Sequence, residues 1–170
     1  VDDATVLLLD EALELEDTDA DANLQLDSPD QLQTFIDQEE AQIREKVQAI
    51  ADAGVDVVFC QKAIDDLAEH YLAKEGILAT SRVKKSDLSF LREVTSADIV
   101  SDLDAIGDAV LGSANVEYND EEGMFYVEGT GEDPHGVTLL LRGSTQHVAD
   151  ELERGIGDAL DVVAQTVSHG

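Results

Sequence analysis

A long helix with an apolar stripe along only half of its length sets the frame for this sequence. Ser28 supplies an N-cap hydroxyl, Pro29 fits the first helical position and Gln31 can close a capping box, so a helix is predicted from Pro29 to Ala53. At 1.5 Å per residue such a helix is about 37 Å long, more than a small domain needs to cover its core. Ile43, Val47 and Ile50 form an ordinary buried stripe, whereas Asp37 to Gln42 contains no large apolar residue. The helix is therefore expected to dock by its C-terminal half and to project by its N-terminal half. Leu32, Phe35 and Ile36 share one face of the projecting half, and an exposed apolar cluster of that kind marks an interaction surface. Packing of the same three residues on Leu24 and Leu26, just upstream, is the alternative.

Around this helix the sequence alternates in α/β order. Thr5–Leu9 reads as a strand, and Leu13, Leu15, Leu24 and Leu26 as short strands between acidic turns. Gly54 is a helix stop, and the unbroken apolar run Val55–Cys60 predicts a strand covered on both faces. A helix is expected from Ala63 to Lys74, a strand over Ile77–Ala79, a helix over Ser86–Glu93 and a strand over Ala97–Val100. Val116–Tyr118 and Met124–Val127 flank Asn119–Gly123 as a hairpin, and Val137–Leu141 reads as a further apolar strand. The last segment is an amphipathic helix with Val148, Leu152, Ile156, Leu160, Val163 and Val167 on one stripe. Nothing after it offers that stripe a partner, so a further part of the protein is expected downstream.

Charge narrows the partners. Across 170 residues, 39 acidic side chains face 10 lysines and arginines, a formal net charge of -29. Such a chain repels phosphate backbones and anionic lipid, which excludes nucleic acid and membrane surfaces as expected partners. The charge is spread along the whole chain, as in adaptation to molar salt, where screening contracts to about 3 Å. Arg82, Lys84, Lys85 and Arg92 are the one local basic cluster and read as a solvated surface run. The single cysteine, Cys60, lies in an apolar run and reads as a small buried hydrophobe with a raised pKa in a reducing compartment. No apolar stretch approaches the roughly 18 residues of a membrane span, and a soluble, cytoplasmic protein is expected.

Self-contained chemistry finds little support. Asp17, Asp19, Asp21 and Asn23 have calcium-loop spacing, but Ala22 stands where that loop needs glycine and Ser28 where it needs glutamate. Gly129, Gly131 and Gly136 are followed by no lysine, and Glu132 and Asp133 would repel phosphate. His70, His135, His147 and His169 show no zinc-ligand spacing, so no metal site is expected. A stand-alone acidic α/β enzyme or metal-binding module, built on the carboxylates of 17–23, is the rival reading.

The run Val57-Val58-Phe59-Cys60-Gln61-Lys62, then Ile64-Asp65-Asp66-Leu67-Ala68 and His70-Tyr71-Leu72-Ala73-Lys74, resembles the apical domain of group II chaperonins, the archaeal thermosome and its eukaryotic cytosolic relatives. Gly76-Ile77-Leu78-Ala79 and Arg82-Val83-Lys84-Lys85-Ser86-Asp87 continue the likeness. It extends through Phe125, Val127, Glu128 and Gly129, through Leu141, Arg142 and Gly143, and into Glu153, Arg154, Asp158, Ala159 and Leu160. Ser144 departs from the second glycine that family often has after Arg142 and Gly143.

This resemblance implies an α/β apical domain over residues 1–134, with a helical protrusion at 19–46 acting as a built-in lid, and over 135–170 the end of the apical core with the returning intermediate-domain segment. It implies a chaperone that holds unfolded or partly folded polypeptide inside an ATP-driven double ring of chaperonin subunits. Leu32, Phe35 and Ile36 would sit near the tip of the protrusion. On the helix 63–74, the stripe Ile64, Leu67, Ala68, Tyr71 and Leu72 would face inward, leaving Asp66, Glu69, His70 and Lys74 for the substrate. Asp158 matches the family's aspartate that activates the water attacking ATP. The nucleotide-binding motifs themselves are absent, so ATP and magnesium are expected in the intact parent protein, and hydrolysis is not expected of this chain alone.

Overall fold

The computed structural model describes residues 1–14, 29–130 and 136–169, and in the stretch beginning at 29 the side chains from Asp37 onward, Glu39 excepted. Leu15, Leu24, Leu26 and the 17–23 carboxylates lie outside the described residues, as do the side chains of Leu32, Phe35 and Ile36.

The strands β1 (Ala4–Leu9), β2 (Val57–Cys60), β3 (Leu78–Thr80), β4 (Ile99–Val100), β5 (Gly112–Asn119) and β6 (Met124–Gly129) form one sheet in the order β3-β2-β1-β5-β6. β1 runs parallel to β2 (Val6 opposite Val57, Leu9 opposite Cys60), and β2 runs parallel to β3. The other edge of β1 is shared, with β5 antiparallel along Ala4–Val6 and β4 parallel along Leu8–Leu9.

Both faces of the sheet are covered, which is why β1 and β2 lack polar alternation. Leu7, Leu9, Val58 and Cys60 point into one core with Ile43, Val47 and Ile50 of α1 (Pro29–Asp52) and Ala68 and Leu72 of α2 (Asp66–Lys74). Val6, Leu8, Val57 and Phe59 point into the other, with Leu88 of α3 (Lys85–Thr95) and Val116 of β5. The half-stripe on α1 thus docks on the sheet, and Asp37, Gln38, Glu40, Ala41 and Gln42 are exposed.

Glycine acts at two kinds of position. Gly54 ends α1 at φ +74, a left-handed conformation that side chains resist. At Gly129 the constraint is space: a Cβ there would stand 2.0 Å from the carbonyl oxygen of Val94, so only glycine lets β6 pass α3.

Three expectations need adjustment. The helix expected from Ala63 begins at Asp66, because Asp65 accepts the Leu67 N–H as N-cap at 2.8 Å, while Ile64 bridges Leu13 in parallel register. The strand expected over Ala97–Val100 shrinks to Ile99–Val100. Val137–Leu141 is no strand: it has no ladder partner among the described residues, Val137 is 91% exposed, and Leu139 and Leu140 are more than half exposed. An apolar run without a neighbouring edge cannot satisfy its backbone as a strand.

The fold divides into two compact units, 1–136 and 137–170. The second contains α4 (Gln146–His169), which has no buried residue; Leu160, Val163 and Val167 on its apolar stripe are 58–79% exposed.

Candidate functional site

α2 combines an anchored face with an open one. Ala68 and Leu72 are buried, Leu67 and Tyr71 are half-buried, and Ile64 just before the helix closes the same core. Asp66, Glu69, His70 and Lys74 are all exposed, and their spacing of three, four and eight residues puts them on one ridge about 12 Å long. The acids stand at the N-terminal end and Lys74 in the last turn, so each charge also complements the helix dipole. The ridge offers carboxylates, an imidazole and an ammonium. Such a surface suits many-sided, weak polar recognition more than a single small ligand.

α1 meets α2 through a contact that sequence periodicity does not reveal. The Tyr71 hydroxyl donates a short hydrogen bond to the Glu40 carboxylate, and the Arg44 guanidinium lies 5.4 Å from the centre of the Tyr71 ring. The hydrogen bond to Glu40 raises the phenol pKa above its usual value. The ring also meets His70 edge-on at 5.9 Å. Tyr71 was expected to face inward; its ring does line the core edge, and its hydroxyl reaches across to α1. The signal in the sequence is only its place at the margin of the apolar stripe.

A second long-range tie holds the base of α1. Glu11, just beyond β1, accepts from Lys46 Nζ at 2.9 Å and from the Leu103 backbone N–H at 2.8 Å. Its own carbonyl accepts the Cys60 thiol at 3.2 Å. Burial pushes that thiol up to about 11, which leaves Cys60 inert as expected. Glu14, Glu45, Asp102 and Asp104 line the same crevice.

Leu32, Phe35 and Ile36 belong by backbone to α1. Asp158 is exposed on α4, one turn from Arg154, whose guanidinium is 3.9 Å from it and 2.7 Å from Glu151. Arg82, Lys84, Lys85 and Arg92 are exposed, and Arg92 pairs with neighbouring Glu93 at 2.8 Å. Among the described residues no three His, Cys, Asp or Glu side chains are grouped to hold a metal, and no helix is long and apolar enough to cross a membrane.

Comparison with known proteins matches residues 1–170 to the model of the TCP-1/cpn60 chaperonin family. The chain is 64% identical to thermosome subunit 2 of Haloferax volcanii over 99% of its own length and 30% of that protein. It is 61% identical to thermosome subunit beta of Halobacterium salinarum over 100% of its length and 31% of that protein. Both relatives come from halophilic archaea, in keeping with the dispersed acidic charge. The open-state monomer of a group II chaperonin from Methanococcoides burtonii superposes with a TM-score of 0.73 at 36% identity, covering 96% of this chain and 35% of that one. The chain thus spans about a third of the length of the relatives it matches.

Proposed function

Because this chain belongs to the TCP-1/cpn60 chaperonin family, we propose that it is the polypeptide-gripping part of a group II chaperonin subunit. Residues 1–134 act as the apical domain, with 19–46 as the lid protrusion, and 135–170 carry the returning intermediate-domain segment. The division of the fold at 136/137 supports that boundary. Other subunits of a double ring and non-native polypeptides are its partners.

One observation carries the reading: α2 is anchored by Ala68 and Leu72 and turns Asp66, Glu69, His70 and Lys74 to solvent as one polar ridge. A segment in non-native conformation presents backbone amides, scattered charges and apolar side chains in no fixed order. A mixed polar ridge meets the first two, and Leu32, Phe35 and Ile36 on α1 meet the third. Each contact is weak, and release requires only that the two helices move.

The final helix, α4, transmits that movement. ATP with magnesium supplies the driving hydrolysis in the parent protein. Asp158 is brought to the nucleotide only in the intact subunit, where it orients the attacking water.

The test is suppression of aggregation of a chemically denatured model protein in molar KCl without ATP. The chain is compared with a variant carrying Leu32→Ser, Phe35→Ser and Ile36→Ser and with one carrying Glu69→Ala, His70→Ala and Lys74→Ala. Weakened suppression in both variants is expected. Equal suppression by both variants and the parent sequence would overturn the assignment of these residues.

A further inference from the structure

We propose that Tyr71 is a positioning residue that ties α1 to α2, so that the projecting helix and the gripping helix swing as one lever. The inference deepens the proposed grip, since it concerns how the two halves of that site are held together.

The geometry is specific. Glu40 and Arg44 lie one turn apart on α1, and both engage the same side chain of α2: the carboxylate takes the Tyr71 hydroxyl and the guanidinium covers the ring. Glu40 sits nearly one turn outward of Ile43, the outermost buried residue of the docked half-stripe. The tie therefore lies just outward of the buried Ile43, and it restrains the direction in which α1 runs from there towards its N-terminus. Its two contacts oppose each other in charge, a carboxylate and a guanidinium on one neutral phenol. The hydrogen bond is a direct contact, within the roughly 3 Å screening length of molar salt, so screening leaves it largely intact.

Tyr71 also borders the polar ridge, touching His70 edge-on. A polypeptide seated on His70 and Lys74 thus presses on the residue that fixes α1. Core packing alone would not need the hydroxyl: phenylalanine fills the same half-buried site, and Leu72 and Ala68 already anchor the helix.

Hydrogen exchange in molar KCl tests the tie. Tyr71→Phe removes the hydroxyl, and Glu40→Ala removes its acceptor from the exposed side of α1, where folding is not at risk. In each variant, amides of residues 37–48 should exchange about threefold faster, with β1 and β2 unchanged and no further gain in the double variant. Equal acceleration throughout the chain, or none in α1, would overturn the proposal.

The same experiment is repeated with reduced, alkylated lysozyme, a permanently unfolded cationic chain. Added protection over residues 66–74 should extend to 37–48 in the parent sequence and stop at α2 in Tyr71→Phe; equal spread in both would also overturn it. Absence of any protection over 66–74 would count against the grip itself, while the exchange rates of the free chain would still decide the tie.

Discussion

Replacing Glu11 tests how the base of α1 is held. Its carboxylate joins three elements distant in sequence: the end of β1, Lys46 of α1 and the Leu103 backbone at the start of the 3-10 helix Leu103–Asp108. Glu11→Ala removes one ion pair and one charge-assisted hydrogen bond. The pair is partly screened, with side chains 26% and 23% exposed, so the several kcal/mol of a fully buried pair does not apply. The bond from Leu103 is the larger part, and together the loss should be about 2 kcal/mol. For a chain of this size that lowers Tm by roughly 4–8 °C. Glu11→Gln keeps one acceptor oxygen and should lose about half as much. Urea unfolding in molar KCl, run as a cycle with Lys46→Met, separates the two contributions. If Glu11→Ala costs no more than Lys46→Met, the link to Leu103 contributes nothing and the reasoning fails.

Other expectations follow from packing and charge. Gly129→Ala must displace α3 from β6 and should cost about 1–3 kcal/mol in the same urea assay. Leu72→Ala, at a fully buried site, should cost about 2–5 kcal/mol. The Cys60 thiol is raised from 9.0 to about 11 by burial, so its contribution to stability is complete below pH 9 and fades as pH rises from 9 to 11. Alkylation at pH 8 should accordingly be slow in the native chain and fast after unfolding; equal rates would contradict the burial. The net charge of -29 predicts cooperative folding in molar KCl and partial unfolding in dilute buffer, followed by circular dichroism. Equal stability in both would sink the salt argument.

Sequence was informative where one local rule dominated. The apolar runs of β1 and β2 announce strands covered on both faces, and Ser28-Pro29 with Gly54 brackets α1 within a residue or so. The stripe Ile43, Val47 and Ile50 is buried as expected, and Asp66, Glu69, His70 and Lys74 emerged exposed. Contacts set by distant pairing were hidden: Tyr71 with Glu40 is 31 residues apart and Glu11 with Leu103 is 92. Val137–Leu141 misled because composition favours a strand while nothing described pairs with it.

The central claim is that the α2 ridge and the protrusion touch non-native polypeptide. A photo-activatable side chain placed singly at Phe35, Glu69 or His70, and at Glu117 of β5 as a control, measures this directly against reduced, alkylated lysozyme in molar KCl. Crosslinks at the first three positions and none at Glu117 are predicted. Crosslinks spread evenly over all four, or confined to Glu117, would contradict the account.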